Sequence, residues 1–517
     1  MSNKSLIQDK RSFDNKGVDL LMEKDSTLTE KTFKGLFWMF SGKGSQAIMQ
    51  FIVTIVLARL LMPSDFGIVS AAMVVITFTT AFSMVGVGPA LIQRPNLNQS
   101  HIRTGFTITI ILSIIFAILL YISSPLIANF FNMEKLTTVL QVMSVIFLLK
   151  GISIVSESLL QRKLNFRLFA SIEVFSYILY GIIGIGTAVV GFGYWALVYA
   201  KVSQDIVKSI LLITLAKHNM KPQFHLQSAK ELIFFGGGFT IARLSNQFAL
   251  QADKLVAGRW LGSGALGLYE RAYQLMVMPT NLFGQVMDKV LFPAMAQIQK
   301  KQNQLSRSFR VGITTVAFFT IPVGILMCLL SVDIVRLLFG EKWLDLVPAF
   351  QVLSIGLVFR TGYKISDSLA RATGAVYRRA WRQIVYALAV FCGAWIGQHW
   401  GIMGLSFGVL AAIFLNYCLM TNLSMRFVNL SIKDIILAHF PGILLGVVSL
   451  VSYFLVNQLS TIIYLPSFIR IFLTGILFLL FMGILVKINA ERFLGKDVVW
   501  IRDQVMKMVK GRRKKSV

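Results

Sequence analysis

The chain has 517 residues, 56% hydrophobic and 14% charged, with a mean hydropathy of +0.70. A soluble domain of that length carries more charge, and apolar runs of about 18 residues or more recur from end to end, so composition excludes a soluble globular enzyme and points to an all-α polytopic membrane protein. The formal net charge of +28 does not signal nucleic acid, because the basic residues lie between the apolar runs and at the tail, as in short cytoplasmic loops facing anionic lipid.

Residues 1–34 are polar and charged (Lys4, Asp9, Lys10, Arg11, Asp14), unlike a cleaved leader, and read as a cytoplasmic segment. With about 20 apolar residues per crossing, six spans follow near 36–58, 66–92, 104–128, 136–158, 168–190 and 194–215, a first lobe over 35–216. A basic linker, 217–231, leads to a second lobe over 232–425, with spans near 232–257, 273–296, 310–331, 346–370, 380–398 and 402–422. Two more spans, near 437–457 and 467–487, fill 426–490, and a basic tail occupies 491–517. The expected total is about fourteen helices.

Orientation follows from alternate connections. One set carries roughly 35 Lys and Arg, whereas the other holds only Arg59, Lys135, Arg259, Arg271, Arg336 and Lys342. Both termini are therefore expected in the cytoplasm, and the external connections are all short. Cys328, Cys392 and Cys418 fall inside apolar stretches without ligand spacing and read as core residues, and the five histidines form no metal pattern, so neither a metal nor a cofactor is expected.

The two lobes are copies. At an offset of 200, Lys43, Ser45, Gln46, Val56, Ala58, Arg59 and Gly67 meet Arg243, Ser245, Asn246, Val256, Gly258, Arg259 and Gly267. At 210, Gln141-Val142-Met143-Ser144 meets Gln351-Val352-Leu353-Ser354, Lys150 meets Arg360, and Ser156-Glu157-Ser158-Leu159 meets Ser366-Asp367-Ser368-Leu369. Chance matches between apolar segments would not keep charge, amide and hydroxyl positions in order. An even number of spans per copy gives a parallel repeat, the architecture of transporters whose substrate path lies between the halves.

Each copy carries polar stripes. Lys43, Gln46, Gln50 and Thr54 follow at helical steps on the first span, and Arg243, Asn246, Gln247, Gln251 and Lys254 do so on the seventh, with Asp253 beside them. The fourth span adds Lys150, Ser153 and Glu157, and the tenth adds Arg360, Tyr363, Lys364 and Asp367. A cation at the centre of a membrane helix costs about 3 kcal/mol on insertion scales, so these stripes must face protein or water. One reading is a set of internal ion pairs, with Glu157 and Asp367 compensating Lys150 and Arg360. The other is a water-filled cavity in which Lys43, Lys150, Arg243 and Arg360 receive an anion, the arginines being suited to hold two phosphate oxygens at once. Glu157, Asp253, Asp367 and Glu173 are candidates for a coupling proton or sodium ion. Asp205, between Lys201 and Lys208 at helical spacing, reads as an ion-pair cluster.

The paired signatures Arg59-Leu-Leu-Met-Pro-Ser-Asp-Phe-Gly67 and Asp253-Lys-Leu-Val-Ala-Gly-Arg-Trp-Leu-Gly262 resemble the polysaccharide transport family of the multidrug/oligosaccharidyl-lipid/polysaccharide flippase superfamily, and more narrowly its Wzx-type exporters of O-antigen, colanic acid and teichuronic acid units. The resemblance covers about residues 31–430. It implies two parallel six-helix repeats around a central cleft, like those of drug exporters and lipid II flippases, with two C-terminal helices added. It also implies a bacterial inner-membrane protein that moves an undecaprenyl-diphosphate-linked oligosaccharide across the bilayer, without covalent chemistry, with membrane lipids as its other partners and cavity cations at positions matching Lys43, Lys150, Arg243 and Arg360. Rival readings are a membrane glycosyltransferase, polymerase or ligase on the same lipid-linked sugars, which would need a larger external loop, and a multidrug exporter of the same superfamily, which the net positive lining disfavours for cationic drugs.

Overall fold

The computed structural model of the protein describes residues 44–84, 86–485 and 487, without the side chains of 235–239, 241–246, 282–290 and 376. All regular structure among these residues is helical, as expected where no water satisfies the backbone. The helices are α1 (Gly44–Leu60), α2 (Pro63–Ser83), α3 (Val87–Gln93), α4 (Gln99–Phe131), α5 (Lys135–Met143), α6 (Val145–Arg162), α7 (Phe166–Val189), α8 (Tyr194–Leu215) and α9 (Leu226–Val256). A π-turn, Ala257–Leu261, leads into α10 (Gly262–Gln297), followed by α11 (Gln302–Leu329), α12 (Ser331–Leu338), α13 (Val347–Ile355), α14 (Leu357–Ala372), α15 (Val376–Gly397), α16 (Gly401–Met425) and α17 (Ile432–Ile462), then α18 (Ser467–Leu485).

Among the described residues, eight spans are long and apolar enough to cross a membrane, or nine if the bent pair α13–α14 is one span. The helices at the seventh and eighth positions, α9 and α10, are 31 and 36 residues long. Their polar residues keep them out of the apolar set.

The expected second, fourth and tenth spans are each broken. Between α2 and α3 the chain turns at Gly86, whose φ of 61° is one that glycine adopts without a Cβ penalty. α5 and α6 meet at Ser144, whose Oγ donates to the carbonyl of Gln141 at 2.7 Å. In the second copy, Ser354 Oγ donates to the Phe350 carbonyl at 2.6 Å, and the axis turns by 40° at Gly356. Serine back-bonding competes with the helical ladder and bends it. Ser144 and Ser354 are equivalent in the repeat, so both copies break at nearly the same place.

The described residues form two compact units that interleave in sequence: residues 44–60, 79–124 and 138–243, and residues 61–78, 125–137 and 244–485. In the first unit, Val87, Leu91, Phe106, Val155, Leu159 and Leu232 join α3, α4, α6 and the start of α9, while Leu160, Ile172 and Leu212 join α6, α7 and α8. Its polar rim is also tied. Arg162 Nη1 donates to the carbonyls of Leu91, Ile92 and Arg94 at 3.0, 2.9 and 2.6 Å, and Nη2 to that of Pro95 at 3.1 Å, so one guanidinium caps the end of α3. Glu231 bonds His101 at 3.0 Å and Arg94 at 2.5 Å, and these partners, His101 first, hold its carboxyl below the usual range.

In the second unit, Met295, Leu305, Phe309, Ile313, Ile365, Leu369 and Ile435 form a core shared by α10, α11, α14 and α17. Trp343, fully buried, packs against Phe66 and Phe339 with ring centroids 5.4 and 5.6 Å away. α15 and α16 meet backbone to backbone at Gly393 with Gly408 and at Gly397 with Gly404, where a Cβ has no room. Cys392 and Cys418, expected in the core, are exposed on helix faces instead. An apolar residue in a membrane helix need not point inward, because lipid solvates it equally well.

Candidate anion-binding site

The second unit concentrates buried charge around the break that starts α14. Arg360 stands one turn after Gly356, and its guanidinium lies over the Tyr273 ring, 4.9 Å from the centroid. Its Nη1 reaches the Tyr386 hydroxyl at 3.5 Å. Tyr363 and Asp253 complete the groups whose charge or dipole acts on it. One turn on, Lys364 Nζ donates to the Thr280 carbonyl at 3.4 Å, while Thr361 joins α14 to α10 through Thr280 Oγ1 at 3.3 Å.

α9 supplies the acid. Asp253, 2% exposed, accepts from the Tyr269 hydroxyl at 2.7 Å and from the Lys254 backbone N–H at 2.8 Å. Lys254 Nζ turns to Glu270 at 3.1 Å. Arg271 stacks over Phe66 at 4.5 Å. Lys254, Arg271, Arg360 and Lys364 gather here with Asp253 and Glu270. Arg360, Tyr363, Lys364 and Tyr273 all keep some accessible surface, and a guanidinium bonded to phenol hydroxyls retains N–H donors for an oxyanion.

The first unit is arranged differently. Lys208 sits between Glu173 at 2.6 Å and Glu157 at 3.4 Å. Lys201 pairs with Asp205 at 3.1 Å. Lys150, half-buried on α6, belongs to this unit.

The structure corrects the expected pairing. Glu157 and Asp367 were expected to compensate Lys150 and Arg360 on their own helices. Glu157 instead turns to Lys208, and Asp367 to Arg371 at 3.1 Å and to Arg379. A partner on a neighbouring helix, or one turn away, offers a shorter approach than one two turns along. Lys208 was expected beside Asp205 and serves the two glutamates instead. Of the four candidate coupling acids, Glu157, Glu173 and Asp367 are closed in ion pairs, whereas Asp253 bonds a phenol and a backbone amide and has no ion pair among the described residues.

Of the other sequence-derived residues, Gln247 is half-buried on α9, and Gln46 and Gln50 are on α1, half-buried and exposed respectively. Gln46 and Gln50 stand seven residues before Val53 and Leu57, which contact Gly181 and Gly184 of α7, so they share the face of α1 that packs there. Lys43 lies outside the described residues, as do the side chains of Arg243 and Asn246. Sequence reasoning missed Tyr269, Tyr273 and Tyr386. The i, i+4 pair Tyr269 and Tyr273 flanking Glu270-Arg271 was the available signal.

Residues 56–348, more than half of the chain, match a family model described as polysaccharide biosynthesis protein. Among curated proteins, the chain is 26% identical over 379 residues to the teichuronic acid biosynthesis protein TuaB of Bacillus subtilis (strain 168), covering 72% of this chain and 78% of that one. It is 25% identical over 400 residues to the lipopolysaccharide biosynthesis protein WzxC of Escherichia coli (strain K12), covering 75% and 80%. Among solved structures, the fold is that of lipid II flippase MurJ in an inward closed conformation, with a TM-score of 0.70 at 14% identity over 87% of this chain and 99% of that one. An inward-facing multidrug resistance transporter of the MATE family gives a TM-score of 0.59 at 16% identity over 74% and 94%.

Proposed function

Because the chain belongs to the polysaccharide biosynthesis protein family, a family of membrane transporters and not of enzymes, we propose that it is a flippase that turns a polyprenyl-diphosphate-linked oligosaccharide from the inner to the outer leaflet of the bacterial cytoplasmic membrane. The observation that carries this reading is the half-buried Arg360 guanidinium, set against the Tyr273 ring and the Tyr386 hydroxyl with N–H donors to spare. Arg360 lies 12 residues before the end of α14 at Ala372, about 18 Å along the helix, and so near the middle of a hydrocarbon core about 30 Å thick. A diphosphate crossing at that depth needs fixed cations and donors to replace its water. Arg360 and Lys364 supply the charge, and Tyr273, Tyr363 and Tyr386 offer ring faces and hydroxyls to sugars.

Lys43, Arg243 and Lys150 would extend the cationic path through the other stripes of a fourteen-helix, twice-repeated bundle with both termini in the cytoplasm, its halves rocking to give alternating access. Among the acids, Asp253 is the best placed to exchange a proton or bind sodium, since among the described residues it bonds a phenol and a backbone amide and forms no ion pair. No bond in the substrate is broken.

The test is export of the glycan in a strain lacking the protein. Arg360→Gln with Lys364→Gln is expected to leave the lipid-linked precursor on the cytoplasmic side at normal protein level, and Arg360→Lys to restore export only in part. Wild-type export by the double variant would sink the proposal.

A further inference from the structure

A second buried cation, one turn before Tyr386 on α15, has no counter-ion among the described residues. Arg382, near the start of α15, is 4% exposed. Its Nε donates to the Leu419 carbonyl at 3.1 Å and its Nη1 to that of Arg378 at 2.6 Å, and its guanidinium stacks on Trp381, 4.6 Å from the centroid. The charged groups that act on it are two more arginines, Arg378 and Arg426. Asp367, the acid of this rim, is already held by Arg371 and Arg379. Nη2 makes no hydrogen bond among the described residues. Burying a guanidinium among like charges is costly unless an anion joins it.

The same two helices carry an apolar groove of about 590 Å³, walled by Ile396, Trp400, Phe407 and Leu415 and floored by glycines. Arg382 precedes the lining residues Ala389 and Gly393 by seven and eleven residues, and Arg426 follows Leu415 by eleven, so all lie within about 20° of the same helix faces. The groove therefore starts about 10 Å along α15 from Arg382. Tyr377, 91% exposed, and Trp381, 48% exposed, mark the same end as an aromatic interface belt.

We propose that α15 and α16 hold an anionic phospholipid of the cytoplasmic leaflet, its phosphate on Arg378, Arg382 and Arg426 and one acyl chain rising into the groove. Charge selects the occupant: a second protein helix would fill the apolar trough but leave three arginines unpaired, and a zwitterionic headgroup would bring its own cation among them. The proposal does not rest on the transport reading.

The test uses the full chain in detergent, titrated with dioleoylphosphatidylglycerol or dioleoylphosphatidylcholine and read by native mass spectrometry and thermal stability. Phosphatidylglycerol is expected to bind and stabilise preferentially. In Arg378→Gln with Arg426→Gln, both exposed side chains, its affinity is expected to fall roughly 30-fold with stability in phosphatidylcholine unchanged. Ala411→Trp, which fills the groove from an exposed position, is expected to weaken phosphatidylglycerol binding too, and glycerol phosphate, which has the headgroup but no chains, not to displace it. Equal binding of both lipids, wild-type selectivity in the arginine variant, displacement by glycerol phosphate, or a dimer across this face that Ala411→Trp dissolves without any change in lipid binding would each overturn the proposal.

Discussion

Replacing Lys208 with methionine should destabilise the protein more than removing either acid it serves. Its Nζ lies 2.6 Å from Glu173 and 3.4 Å from Glu157, so the change leaves two carboxylates facing each other from α7 and α6 with no cation between them. Removing one partner of a buried pair costs about 3 to 5 kcal/mol. These side chains keep roughly a fifth of their surface, 22%, 20% and 22% for Lys208, Glu173 and Glu157, so the lower end, about 3 kcal/mol, applies. Melting followed by size-exclusion chromatography in one fixed detergent should show a fall of roughly 3 °C for Lys208→Met. Adding Glu173→Gln should recover part of it and Glu157→Gln most of the rest, since neutral amides need no counter-ion. A Lys208→Met variant as stable as the wild type, or a triple variant no better than the single one, would refute the idea that charge and not packing sets this contact.

Tyr269→Phe should cost about 2 kcal/mol, because it strips a hydrogen bond from the buried Asp253. In the Asp253→Asn background the loss should shrink to well under half, and equal losses in both backgrounds would rule out the pairing. Gly408→Val should prevent assembly of the α15–α16 hairpin, since even a Cβ there runs into the Gly393 backbone; normal yield of monodisperse protein would contradict the close approach. His218, in the connection after α8, contacts Ser156 through Nδ1 at 3.0 Å and packs edge-on to Phe106, and burial lowers its pKa from the ordinary 6.5. The folded state thus favours the neutral ring, so stability is full above pH 6.5 and declines as pH falls below it. Melting temperatures at about pH 7.5 and 5.5 should diverge in the wild type and converge in His218→Phe, and an unchanged gap in the variant would assign the loss to other groups.

Helix class could be read from sequence because it rests on spacing along one helix. The quartets matched at an offset of 210 contain Ser144 and Ser354, beside which α5 gives way to α6 and α13 to α14. Pairing could not be read the same way. Glu157 was assigned a partner on its own helix, yet it turns to Lys208, 51 residues on, because periodicity fixes which face a residue occupies and says nothing of the helix that will lie against it. Asp253 was legible as a polar residue in apolar context but not its bond to Tyr269, for the same reason. Tyr269, and Tyr273 and Tyr386 beside Arg360, were overlooked because an aromatic residue in a membrane helix carries no cost that would single it out.

The Arg162 clamp has a consequence for biosynthesis. The carbonyls that end α3 are satisfied by a guanidinium 68 to 71 residues further along. While the ribosome is still delivering α4 to α6, that end of α3 has only water or lipid headgroups for company. The end of α3 can settle only once α6 has brought Arg162 to it. A nascent chain stopped just before Arg162 should therefore be open to protease at Arg94, and one stopped a few dozen residues later should be closed. The guanidinium that ends α6 thus also locks the end of α3, so both ends are packed in one event.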